Sequence, residues 1–258
     1  MTYPEDFINK IIRGDCLEVM KDIPDKIVDM ILCDLPYGTT ACKWDTIIPF
    51  EPLWEQYKRI IKDNGAIVLT ASQPFTSALV MGNIKMFKYE WIWEKSRPSG
   101  MALVKYRPMK NHENVLIFSK GNTVYNPIME KRVYFTNASK KMVENGLKTY
   151  RNTKDTITGM SVNITKEKAK LRYPTTVKIF GSGSNQKGKF HPTQKPLALF
   201  EYLIKTYTNK GDLVLDNCIG SGTTALACKN LKRDFVGIEK KEEYCKIAEE
   251  RLKQEILL

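Results

Sequence analysis

Val214-Leu215-Asp216-Asn217-Cys218-Ile219-Gly220-Ser221-Gly222-Thr223-Thr224-Ala225 reads as a buried strand, a glycine turn and the opening of a helix. Gly220, Gly222 and Ala225 satisfy a Gly-x-Gly-x-x-Gly/Ala spacing, in which glycines let a backbone approach a ligand closely. Downstream, the pattern predicts a helix over 223–231, a strand over 235–238 that ends beside Glu239, and a closing helix over 241–255. Upstream, Leu197, Phe200, Leu203, Ile204 and Tyr207 form the apolar face of a helix begun after Pro196. The carboxyl end is therefore a β-α-β-α unit of nucleotide-binding type, with Glu239 placed to hold ribose hydroxyls.

The amino-terminal part has the same rhythm. Ile11-Ile12-Arg13 reads as a strand entering Gly14-Asp15-Cys16, followed by a helix over 17–21 and an apolar strand, Val28-Asp29-Met30-Ile31-Leu32-Cys33. Phe50, Leu53, Trp54, Tyr57, Ile60 and Ile61 make a helical stripe that Asp63-Asn64-Gly65 should stop. A buried strand over 66–70 and a helix over 74–84 follow, then strands over 89–94 and 113–119 with an aperiodic loop over 95–111 between them. Such alternation predicts a doubly wound α/β sheet.

The glycine turn is shared by dinucleotide sites and S-adenosylmethionine sites, and a turn with no ligand is a third reading. In the S-adenosylmethionine reading, Asp216 meets the methionine ammonium or a nearby water. Asp34-Leu35-Pro36-Tyr37-Gly38, at the end of the 28–33 strand, offers a carboxylate acceptor, backbone carbonyls set by a fixed φ and a flat ring. That set suits a planar ring with an exocyclic amine, although a capped strand-ending turn would look the same. In His191-Pro192-Thr193-Gln194-Lys195-Pro196, Thr193 and Lys195 supply donors for a carboxylate.

The formal charge of +12 over 258 residues is concentrated: residues 121–190 hold 14 Lys+Arg against 4 Asp+Glu. Tyr125, Tyr134, Phe135, Tyr150, Tyr173 and Phe180 alternate with these charges, so the segment has apolar material to fold and to stack, as a phosphate-bearing partner requires. The Gly181-Ser182-Gly183-Ser184 run within it should be mobile. Six cysteines without a Cys-x-x-Cys pair, and two histidines, disfavour a zinc site and read as reduced thiols of a cytoplasmic protein. No apolar run approaches membrane-spanning length.

Taken together, these stretches resemble the β group of DNA amino-methyltransferases over nearly the whole chain. Asp34-Leu35-Pro36-Tyr37 is similar to that family's Asp-Pro-Pro-Tyr catalytic motif, Asp216 to Thr224 to its Phe-x-Gly-x-Gly cofactor motif, and His191 to Pro196 to its motif ten. Gly14-Asp15-Cys16 resembles the loop near the cofactor adenine. Leu35 departs from the usual first proline, and Cys218-Ile219-Gly220 from the usual Phe or Pro approach to the glycines.

The resemblance implies a Rossmann-like S-adenosylmethionine-dependent methyltransferase fold, with a seven-stranded, mostly parallel sheet and circularly permuted motif order. Residues 1–120 would form the catalytic half, 121–190 an inserted basic target-recognition region and 191–258 the cofactor half. It implies a cofactor site from Asp15, Cys16, His191, Thr193, Lys195, Asp216, Cys218, Gly220, Gly222, Thr223, Thr224 and Glu239, and no metal.

Asp34 and the Leu35 or Pro36 carbonyl would accept the amine protons while Tyr37 stacks on a flipped-out base. Asp at the first motif position favours adenine N6 over cytosine N4. Cytosine C5 chemistry is disfavoured because none of the 12 prolines precedes a cysteine. The partner implied is double-stranded DNA; a homodimer and a cognate restriction endonuclease stay open. The rivals are an N4-cytosine enzyme, an RNA amino-methyltransferase, a non-catalytic DNA-binding module and an NAD-dependent oxidoreductase, the last leaving the Asp34 stretch and the basic segment unexplained.

Overall fold

The computed structural model describes residues 1–39, 45–132, 170–181 and 194–253, together with two short strands at Lys148–Thr149 and Val162–Asn163. His191, Thr193 and the glycine-serine run beyond Gly181 lie outside the described residues. The strands in chain order are β1 (Lys10–Arg13), β2 (Val28–Cys33), β3 (Ile61–Ala71), β4 (Phe87–Ser99), β5 (Lys110–Phe118), β6 (Glu130–Lys131), β7 (Lys148–Thr149), β8 (Val162–Asn163), β9 (Leu171–Arg172), β10 (Val177–Phe180), β11 (Leu213–Asp216) and β12 (Asp234–Glu239). The helices are α1 (Cys16–Val19), α2 (Phe50–Ile60), α3 (Phe75–Gly82), α4 (Leu197–Tyr207), α5 (Thr223–Leu231) and α6 (Glu242–Lys253). None is long and apolar enough to cross a membrane.

The chain divides into a larger unit, Met1–Asn126 with Thr176–Leu258, and a smaller one, Pro127–Thr175. In the smaller unit β6 pairs antiparallel with β9 and β7 with β8, and Arg172 Nη2 lies 3.1 Å from Glu130 Oε2. The larger unit carries one sheet in the order β1-β12-β11-β2-β3-β5-β4-β10, in which β5 alone runs against the rest. The seven strands expected are present, and β10, from within the basic segment, adds an eighth to the edge beside β4.

Both faces of the sheet are covered, as a nearly all-parallel sheet requires. Alternation along β2 shows how: Ile31 and Cys33 enter one core with Leu53, Trp54, Tyr57 and Ile60 of α2, while Met30 and Leu32 enter the other with Leu199, Phe200, Leu203 and Ile204 of α4. Full burial of each such side chain contributes about 1.5–3 kcal/mol. α5 has the expected bounds.

Three local expectations are corrected. The 17–21 helix is a single α-turn continued as a 3-10 turn, Met20–Asp22. Asp63-Asn64-Gly65 does not form a separate turn, because β3 starts directly after α2 and carries these residues as a bulge, its register to β2 passing from Val28↔Ile61 to Met30↔Ala66. The 95–111 loop is shorter than expected: β4 continues to Ser99 and β5 begins at Lys110, so the two strands run on as a hairpin.

Beyond β2 the chain moves to β3 on one side, and beyond β11 it moves to β12 on the other. The two neighbours thus diverge at their carboxyl ends, the place where open α/β sheets bind ligands.

Candidate active site

At that divergence lies a cavity of about 1110 Å³. Asp34 to Tyr37 line it from the end of β2, Asp216 to Ser221 from the end of β11, Glu239 from the end of β12, and Gly14 to Leu17 from the end of β1. Of the residues singled out from sequence, Asp34, Leu35, Pro36, Tyr37, Asp15, Cys16, Lys195, Asp216, Cys218, Gly220, Thr223, Thr224 and Glu239 all meet there.

Gly222 does not reach the wall. It caps α5 at φ +81, and a Cβ on it would lie 2.8 Å from Ala248 Cβ, so it serves helix packing. Gly220, at φ +51, is the opposite case: an added Cβ would meet only the Cys218 carbonyl at 4.0 Å, which leaves the turn open to a ligand.

The turn's carboxylates are held by local backbone. Asp216, buried, accepts from Cys218 N at 3.1 Å and from the Thr224 hydroxyl. Burial pushes its carboxyl up to about 7, against the pull of those hydrogen bonds. Glu239 accepts from Gly220 N at 3.1 Å and Lys241 N at 2.8 Å, and each oxygen keeps further acceptor capacity. Asp15 caps α1 through Leu17 N at 3.0 Å. A hydrogen bond with Cys218 and burial push the Cys16 thiol up, so it stays protonated and is no nucleophile.

The Asp34 corner is built from side chains. Tyr37 and Thr70 both donate their hydroxyls to Asp34 Oδ1, Tyr37 at 2.8 Å, and Lys195 Nζ donates to Oδ2 at 2.7 Å. Lys195, expected at a cofactor carboxylate, lines the cavity and is paired with Asp34, with Glu113 Oε2 3.4 Å from the same ammonium. Glu113 Oε1 in turn holds Lys95 Nζ at 2.5 Å. Burial alone would lower the Lys195 pKa, but the two carboxylates outweigh it and raise the value. The Tyr37 ring stacks on Phe75 at 5.1 Å, and Lys195 Nζ lies 5.4 Å from its centroid. Beyond Tyr37, Asp45 accepts from Gly38 N at 2.8 Å and Thr39 N at 2.9 Å, which fixes the turn.

Thr70, Glu113 and Lys95 escaped the sequence reading. Each is a polar residue on a strand, and the available signal was a polar side chain at the carboxyl end of an apolar run (Thr70) or charged residues flanking the apolar parts of two strands (Lys95, Glu113).

A family model described as DNA methylase matches residues 28–250. The chain is 28% identical over 259 residues to Type II methyltransferase M.HpaI of Haemophilus parainfluenzae, covering 95% of this chain and 74% of that protein. It is 28% identical to Type II methyltransferase M1.MboII of Moraxella bovis, covering 92% and 94%. Among solved structures, the M1.HpyAVI-SAM complex aligns with a TM-score of 0.65 at 28% identity, covering 95% of this chain and 99% of that one. The cytosine-N4-specific PvuII DNA methyltransferase aligns with a TM-score of 0.65 at 16% identity, covering 96% and 87%, a likeness of fold.

Proposed function

The chain belongs to the DNA methylase family and is an S-adenosylmethionine-dependent DNA amino-methyltransferase, and from that premise we propose that its target is the N6 amine of adenine, flipped out of duplex DNA. The observation that carries the proposal is that Asp34 and Gly220 line one cavity.

The residues present fit the cofactor. Gly220 leaves the turn open, Glu239 retains acceptor capacity for a ribose diol, and Asp216 supplies a carboxyl group at the cavity wall for an ammonium or a water. When bound, the cofactor supplies a methyl group activated by a sulfonium. Asp15 and Cys16 would flank its adenine; His191 and Thr193 remain assigned to it by the resemblance alone.

At the other end, the obstacle is the amine itself, whose lone pair is delocalised into the ring. Accepting its protons on Asp34 and on the Leu35 or Pro36 carbonyl turns that lone pair outward. As the nitrogen gains a carbon it sheds one proton, for which Asp34 is the acceptor within reach. Asp34 Oδ1 already accepts two hydroxyls, but Oδ2 accepts from Lys195 alone and has room for the amine. Extruding the base costs a few kcal/mol, offset by stacking worth about 1–3 kcal/mol and by phosphate contacts. Residues 121–190, with 14 Lys+Arg against 4 Asp+Glu, are the proposed source of those contacts and of target recognition. Work on DNA suits the cytoplasm, as do the free cysteines.

Asp as the first motif residue supports adenine over cytosine. The test is nucleoside analysis of duplex DNA methylated by the purified protein with labelled cofactor. The expected product is N6-methyldeoxyadenosine; label in N4-methyldeoxycytidine, or transfer to RNA in preference to duplex DNA, would overturn the proposal.

A further inference from the structure

Lys195 and Asp34 form a donor and an acceptor side by side at the cavity wall, Nζ to Oδ2 at 2.7 Å, with side chains 9% and 24% exposed. An ammonium carries three N–H donors. Among the described residues, the hydrogen-bond and ion-pair partners of Lys195 are Asp34 and Glu113, which leaves one donor for a ligand. Glu113 is itself 12% exposed, and its Oε2 lacks a hydrogen-bond partner, so the ammonium stands between two carboxylates and can lean toward either. Lys95 anchors Glu113 from behind.

A methylatable exocyclic amine never stands alone on its base. In adenine the N6 amine adjoins ring N1, and in cytosine the N4 amine adjoins ring N3; in each, a donor lies next to an unprotonated ring nitrogen. Guanine and thymine present the reverse, a carbonyl acceptor beside a ring N–H.

We infer that Asp34 and Lys195 read this amidine edge as a unit, the amine donating to Asp34 while the adjacent ring nitrogen accepts from Lys195. The inference rests on the base-methylating reading above and deepens it. It gives Lys195 a base-reading role instead of a cofactor-binding one, and it explains how one corner accepts the edge common to adenine and cytosine while rejecting the lactam edges of guanine and thymine. A lactam would set its carbonyl against the carboxylate and its N–H against the ammonium, leaving both charges unpaired. Glu113 is the second carboxylate that keeps Lys195 charged and aimed while Asp34 takes on the amine.

The test replaces the target adenine, in a duplex carrying the enzyme's methylation site, by 1-deazaadenine, which keeps the amine and has C–H in place of N1. If the methylated base is cytosine, 3-deazacytosine serves the same purpose. Single-turnover methyl transfer by the wild-type protein should be about 10- to 100-fold slower on the deaza base. Lys195→Met should be slower on adenine and discriminate between the two bases far less, within about 2-fold, while Lys195→Arg, which retains a donor, should keep the preference.

Any difference in intrinsic reactivity of the deaza amine cancels when the ratios for wild type and variant are compared. Equal wild-type rates on the two bases, or an undiminished ratio in Lys195→Met, would overturn the inference while leaving the methyltransferase reading intact. Absence of transfer to the adenine and cytosine duplexes alike would instead overturn that reading, and the inference with it. The wild-type comparison needs no variant to fold.

Discussion

Two carboxylate corners line one cavity, and they are held in different ways. At the glycine turn, Asp216 and Glu239 take their hydrogen bonds chiefly from backbone N–H groups, with partners 2, 8, 19 and 2 residues away. Asp34 takes its own from two hydroxyls and an ammonium, with partners 3, 36 and 161 residues away. Backbone donors cannot swing aside, so the turn is preorganised for a ligand of constant shape. Rotatable side chains can shift, which suits a corner that rearranges around an incoming amine. On the function proposed above, the rigid corner would hold the cofactor and the adaptable one would act on the base.

The largest effect that would sharpen this contrast is at Asp34. Asp34→Ala should slow single-turnover methyl transfer at saturating cofactor by about 10²–10³-fold, the usual loss when a group aimed at developing charge is removed. Glu239→Ala should act on the other quantity: cofactor affinity measured by equilibrium dialysis should weaken by about 10- to 100-fold, as when a charged hydrogen-bonding group is lost, while duplex affinity stays within about 2-fold. Equal losses of rate and affinity in both variants would dissolve the contrast.

The smallest effect is on stability and concerns pH. Burial raises the Asp216 carboxyl from 3.8 to about 7, so at pH 5 it is protonated in the folded chain and ionised in the unfolded one. Its contribution to stability is therefore full below the unfolded value and is lost as pH rises through about 7. Asp216→Asn removes this titration, so the melting temperature of the variant relative to wild type should rise between pH 5 and pH 8; a difference constant in pH would contradict the buried state inferred for this carboxyl.

The same contrast decides what could be read from the chain beforehand. The turn was legible because its partners are neighbours in sequence: strand, glycines, helix bounds and Glu239 all fell where the spacing put them. At the Asp34 corner the motif itself was legible but its surroundings were not. Thr70, Glu113 and Lys195 reach it only once β3, β5 and the segment before α4 are in place.

Strand β10 was hidden for a different reason. Its apolar Val177 and Ile179 face outward, while Lys178 turns in over the rings of Trp91 and Tyr202 at 5.7 and 5.9 Å, so the pattern reads inside out. Strands over 89–94 and 113–119 were legible, but their extension to Ser99 and Lys110 was not, because beyond Glu94 no apolar face marks it. Gly222 matched the fingerprint for a reason the fingerprint cannot separate from ligand contact, the close approach of Ala248.

The central claim is the division of labour within one cavity, and the most direct measurement of it is the affinity of the Asp34→Ala protein for labelled S-adenosylmethionine, taken beside its methyl-transfer rate. The account predicts a dissociation constant within about 2-fold of wild type together with the deep loss of rate, because Asp34 belongs to the base and not to the cofactor. A dissociation constant that rises in step with the loss of rate, or a variant that still methylates at the wild-type rate, would contradict it.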